Sequence, residues 1–335
     1  MSGRDACDVA LELSKDYLVL TFMVVRSVLS FIAAFALILC ACFGSFKNRI
    51  HPNATILFRG YIGFAVLSAL STIISDGIDA VRLIFIRSDS GCPIPLYTGK
   101  IAEILMMPMV FCVNALGIMF IFIGVERSIA TIYTAKYEKM KSTVPGWALL
   151  FIAVCVSLAK AVWFWAQSSD APAQPMATIG DVPFYVHYVT LGTQLFMEVI
   201  NIVLFTTLYW CNKRRKYKSS RVASSLTYKY QLNENYHSII QILRLAWLHC
   251  LVIVIATVVI FIAMFCLTEE QGMRFSVIFD LYPVYHCLLP VALGYRTVKD
   301  RMKEKTAKVE QIKEQRDYKD QDHHFKMLQD LFDKQ

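Results

Sequence analysis

Seven stretches of this chain are each long and apolar enough to cross a bilayer, and that feature constrains every other reading. They run roughly over residues 18–43, 56–80, 101–125, 146–167, 184–211, 243–267 and 275–296. A spanning helix needs about 20 mostly apolar residues, and hydrocarbon admits only elements that satisfy their own backbone groups. Only 18% of the 335 residues are charged, and these bunch between the apolar runs instead of spreading as on a soluble surface. The second stretch is the weakest, with Arg59 near one end and Asp76 and Asp79 near the other. Pro145, Pro183 and the segment from Gly91 to Pro95 punctuate the boundaries. The predicted fold class is an all-α membrane protein, a seven-transmembrane helix bundle.

Lysine and arginine set the orientation. Taking alternate connections, the first has Lys47 and Arg49, the third Arg127, Lys136, Lys139 and Lys141, and the fifth Lys213, Arg214, Arg215, Lys216, Lys218, Arg221 and Lys229. That is thirteen against six on the other side: Arg4, Lys15, Arg82, Arg87, Lys100 and Arg274. The N-terminus is therefore expected outside, with residues 1–17 as an extracellular leader, 18–298 as the membrane domain and 299–335 as a cytoplasmic tail. The leader is polar, with Asp5, Asp8, Glu12 and Asp16, unlike a cleavable signal peptide. The sequon Asn53-Ala54-Thr55 falls on the inner side and reads as a chance match. In the tail, Phe325, Leu328, Leu331 and Phe332 recur at helical spacing, compatible with a short amphipathic helix on the inner leaflet or a solvated tail.

Eight of the ten cysteines lie in or beside apolar runs and read as small hydrophobes. Only Cys7 and Cys92 fall in outer segments, where a disulfide between them can form; the pairing stays open. No CxxC pair and no HExxH occurs, so neither a metal nor a catalytic site is expected, and no cofactor.

The sharpest local signal closes the third stretch: Gly124-Val-Glu126-Arg127-Ser-Ile-Ala130-Thr131. A Glu-Arg pair at the inner end of helix three resembles the layout of rhodopsin-like receptors. A charge pair at the edge of low dielectric can exchange partners and so bias two helix arrangements. Tyr137-Glu138 follows in the second inner connection, and Tyr230-Gln231-Leu-Asn-Glu234-Asn235 precedes the sixth stretch. Together these blocks resemble those of the nematode serpentine chemoreceptors of the Sra superfamily, classes a, a/b, b and e; the class stays open. The resemblance implies a rhodopsin-like GPCR architecture and a sensory-neuron receptor at the plasma membrane, on sensory cilia. It implies a small-molecule or pheromone ligand and a heterotrimeric G protein as partner, with no nucleic acid; dimerisation stays open. Residue by residue it points to Glu126, Arg127, Tyr137, Glu138, Tyr230, Gln231, Glu234 and Asn235 as switch and coupling positions.

Arg214 and Arg215, in the basic run from Lys213 to Arg221, are candidates for contact with the G protein or acidic lipid, beside their plain topological role. Ionisable residues within spans are costly and face the bundle. Asp76, Asp79, Glu103, Lys160, His187 and Asp280, all toward the outer half, are candidates for a ligand cavity, against a reading as structural ion pairs. Arg26, Glu198, His249 and His286 add to that set, and Glu103 or Glu198 is the expected partner of Lys160. Trp163, Trp165, Tyr185 and Tyr188 read more simply as an interfacial belt. Pro290 and Tyr295 are a loose echo of the receptor NPxxY motif, with the asparagine missing, and the sixth stretch has no proline to kink it.

Other functions fit less well. The seventh stretch has no lysine for a retinal Schiff base. The absence of an internal repeat argues against inverted-repeat transporters. A seven-helix ligand-gated channel or small-solute transporter remains the alternative; ligand-dependent currents abolished by Glu103→Gln or Glu198→Gln would favour it.

Overall fold

The computed structural model describes residues 3–43, 51–88, 92–133, 137, 142–167, 175–177, 184–221 and 226–294. The chain divides into two units, 1–291 and 292–335. Of the second only 292–294 are described, and they are helical. The tail and its expected amphipathic helix lie outside the described residues, as does Glu138.

Seven helices are long and apolar enough to span a membrane, and no strand occurs among the described residues. The first six spans are Tyr17–Phe43, Pro52–Phe85, Gly99–Ile132, Val144–Ala166, Phe184–Arg221 and Leu226–Phe265. Local chemistry fixes their starts. The Asp16 carboxylate accepts from the amides of Leu18 and Val19, and Thr98 accepts from Ile101 N. Proline occupies the first turn of the second and fourth spans, where its missing N–H is no loss.

The fifth and sixth spans correct the sequence reading. At 38 and 40 residues they are about 57 and 60 Å long, against roughly 30 Å of hydrocarbon. The basic run from Lys213 to Arg221, assigned to a loop, is helical, and so are Tyr230 to Asn235. Both helices thus project well beyond the membrane at their joined ends.

The seventh span is broken. Glu269–Phe279 begins with a Thr268–Gln271 capping box, and a second helix covers 282–294. Pro283 cannot continue the first helix, because its ring would clash with the carbonyl four residues back. Asp280 is extended, at φ −69° and ψ 114°, and its Oδ1 accepts from Tyr282 N at 2.9 Å, capping the second half.

The leader is an amphipathic helix, Gly3–Lys15. Val9, Ala10 and Leu13 join Val19, Met23, Leu83, Ile94, Met176 and Met273 in one apolar cluster. Cys7 is disulfide-bonded to Cys92, and Arg274 reaches Glu12 at 3.2 Å and Asp16 at 3.4 Å. The leader thus packs over the ends of spans one, two and seven. In the bundle centre Tyr61, Tyr285, Phe120 and Phe205 are the largest fully buried side chains.

Candidate functional site

At the ends of spans three, five and six on the projecting side, one side-chain network joins all three helices. Arg127 is 4% exposed. Its guanidinium grips the neighbouring Glu126 with two bonds, Nε to Oε2 at 2.5 Å and NH2 to Oε1 at 2.6 Å. Such a charge-assisted fork is among the strongest protein hydrogen bonds. The remaining arm, NH1, reaches Asn235 Oδ1 on span six at 3.4 Å. The Tyr137 hydroxyl donates to Glu126 Oε1, and its ring lies 4.1 Å from that of His51. Burial and the Glu126 charge push the Tyr137 phenol well above its usual range, so it remains a donor.

One helical turn further, Thr131 anchors the rest. Its hydroxyl donates to Arg127 O at 2.8 Å and accepts from Asn212 Nδ2 and Asn235 Nδ2, both at 2.9 Å. Asn235 also donates to Asn212 Oδ1 at 3.0 Å, and Arg215 donates to the Thr131 carbonyl. Glu126, Thr131, Asn212 and Asn235 are all buried. Every amide and hydroxyl has a mate, which makes the network a rigid clamp. Glu234 is half-buried and its carboxylate adds to the field at Arg127. Arg214 is exposed. The side chains of Tyr230 and Gln231 lie outside the described residues. Asn212 is the member that sequence reading missed; it sits between Cys211 and Lys213, where the apolar run gives way to the basic one.

Close helix contact supports the clamp. A Cβ on Gly124 would lie 2.3 Å from Leu204 Cδ2, so glycine lets span five approach. Asn53, the sequon residue, is 2% exposed and accepts from Gly146 N at 3.2 Å. That buried amide has no room for a glycan.

The six ligand candidates divide among separate contacts. Arg26 bonds Asp76 at 3.1 Å and Asp280 at 2.5 Å, and also Val277 O, tying spans one, two and seven. Asp79 pairs with Arg82 at 3.0 Å and accepts from Ala177 N at 2.8 Å. Arg82 also donates to the carbonyls of Pro95 and Pro175 and lies 4.3 Å over the Tyr97 ring. This pair holds two outer segments down on span two, and burial raises the Tyr97 phenol to about 12. Glu103 is buried on span three, and His187 packs edge-on to Phe164 at 6.1 Å. Lys160 donates to Thr193 Oγ1 at 2.8 Å, in place of the expected acid. Glu198 instead accepts from Gln194 at 3.3 Å and lies 3.3 Å from His249 Nε2, both fully inside the bundle. His249 is flanked by Phe120 and Tyr285, and the Tyr285 hydroxyl bonds that of Tyr61. Among the described residues no cluster of His, Cys, Asp or Glu could hold a metal ion.

This seven-span bundle, clamped at Glu126–Arg127, matches a family model along nearly its whole length. The model describes the serpentine type 7TM GPCR receptor class ab chemoreceptors and covers residues 4–331. The chain belongs to that family. Similar proteins from Caenorhabditis elegans include serpentine receptor class alpha/beta-14, 27% identical over 69% of this chain, and serpentine receptor class beta-16, 22% identical over 76%. The matches span 60% and 75% of those relatives' lengths. The chain is thus a multi-pass membrane protein of a GPCR-type receptor family, and the class left open by its motifs is ab.

Proposed function

We propose that this class ab serpentine receptor is a chemosensory receptor that binds a small environmental molecule from outside and activates a heterotrimeric G protein. The observation that carries the reading is the buried clamp from Arg127 through Thr131 and Asn212 to Asn235. It holds the projecting end of span six against spans three and five, the arrangement of a receptor at rest. Ligand shifts the balance by binding the open arrangement more tightly. Span six then parts from span three, Arg127 is released, and the exposed basic face around Arg214 meets the G protein. Orientation follows from the lysine and arginine count, with the clamp in the cytosol and the disulfide-bonded leader outside. Buried Asn53 agrees with an inner position. The plasma membrane of sensory cilia is the location this role requires.

The test is Arg127→Ala. G-protein activation per receptor at the surface should be abolished, and equally so in the double variant Glu126→Gln, Arg127→Ala, which strands no buried carboxylate. Normal signalling from the variant would remove the switch from the account.

A further inference from the structure

The seam between spans four and five carries a cation that is paired with no carboxylate among the described residues. Lys160 lies six residues before the end of span four, within the apolar run, and is half-buried. Its Nζ donates to Thr193 Oγ1 on span five, and among the described residues no carboxylate pairs with it. An ammonium has three protons to place, and within a membrane an ionisable side chain without a partner marks a site. Thr193 cannot supply the missing charge, and its own proton goes to Thr190 O at 3.0 Å. Escape to the outer headgroups is unfavourable, because helical side chains lean toward the N-terminus, which for span four is the cytoplasmic end under the proposed orientation.

The surroundings define what fits. Toward the outer surface the seam is closed. Phe164 and Val186 pack together with Trp163, and Tyr185 donates to Gln167 at 2.6 Å. One turn toward the bilayer centre, Val156 on span four and Phe196 on span five are 50% and 66% exposed. The site therefore presents one cation beneath a closed rim, with an open apolar wall below it facing lipid.

We propose that this seam binds an amphiphile: an anionic head, carboxylate or phosphate, on the Lys160 ammonium, with an acyl tail along Val156 and Phe196. The inference rests on the receptor reading for its meaning, since it makes the ligand class lipophilic anions that arrive from the membrane. The leader and Met176, packed over the ends of spans one, two and seven, obstruct entry from above on that side and are compatible with the same lateral route.

Purified full-length receptor in phosphatidylcholine nanodiscs provides the test, with a diazirine-bearing palmitate as probe. Labelling should fall on spans four and five, and be competed by palmitate but not by hexadecanol. It should drop about tenfold in Lys160→Met, the loss of one charge-assisted bond, and persist in Lys160→Arg. Nanodiscs doped with phosphatidylglycerol separate the two sources. Loss of palmitate labelling there assigns the site to a resident anionic lipid, and retention assigns it to a free fatty-acid-like ligand; either supports the site. Equal labelling of wild type and Lys160→Met, or equal competition by hexadecanol, overturns it. The assay contains no G protein, so a receptor that binds palmitate but never signals would refute the proposed function and leave this site standing.

Discussion

Asn235→Ala should make the receptor active without ligand. Asn235 makes three bonds across the clamp, to Arg127, Thr131 and Asn212. At roughly 1 kcal/mol each, discounted for the long contact to Arg127, their loss costs the resting arrangement about 2 kcal/mol. The open arrangement, with span six swung away, loses nothing. The equilibrium constant then shifts about 30-fold, so an active fraction of about 1% rises to roughly a quarter. The variant should still fold, because Arg127 keeps Glu126 and Thr131 keeps Asn212. Basal nucleotide exchange on a panel of purified heterotrimers, normalised to surface receptor, reads the effect. Basal exchange equal to wild type at equal expression would refute the clamp as a constraint on activation.

Two further outcomes follow from packing and charge. Arg26→Ala strands Asp76 and Asp280 in the bundle and should cost about 3 to 5 kcal/mol, seen as lost surface expression and a lower unfolding temperature; adding Asp76→Asn and Asp280→Asn should restore part of it. Gly146→Ala would place a Cβ 3.0 Å from Asn53 Cα and 3.1 Å from its carbonyl oxygen. Backbone cannot yield as a side chain can, so spans two and four must separate, at about 1 to 3 kcal/mol in thermal stability.

The number of spans was legible because apolar length is an additive property of the sequence. Their true ends were less so. The projecting parts of spans five and six, rich in Lys, Arg and Asn, carry no hydropathy signal, so apolar length could not show how far these helices run. The break at Asp280 was half visible in Pro283, and its cap on Tyr282 is local, but its pairing with Arg26 joins residues 254 positions apart. The leader showed its polar face and hid its apolar one, since Ala6, Val9, Ala10 and Leu13 are few and small. The motif blocks located Glu126, Arg127, Tyr137 and Asn235; nothing local in the sequence says that Asn212 joins them. The charged candidates for ligand binding were individually visible; the joining of Asp76 and Asp280 through Arg26, and of Lys160 to Thr193, is a tertiary fact.

The central claim is that the Arg127–Asn235 clamp holds span six closed and opens when a G protein couples. Spin labels at Tyr133 and Lys229, both exposed at the clamp ends of spans three and six, measure it directly by pulsed electron resonance. The account predicts one short distance in the free receptor, lengthened by clearly more than the roughly 2 Å of a passive interface shift when a nucleotide-free heterotrimer is bound. The same lengthening should appear in part in Asn235→Ala alone. A distance unchanged by bound G protein, with binding itself demonstrated, would contradict the account.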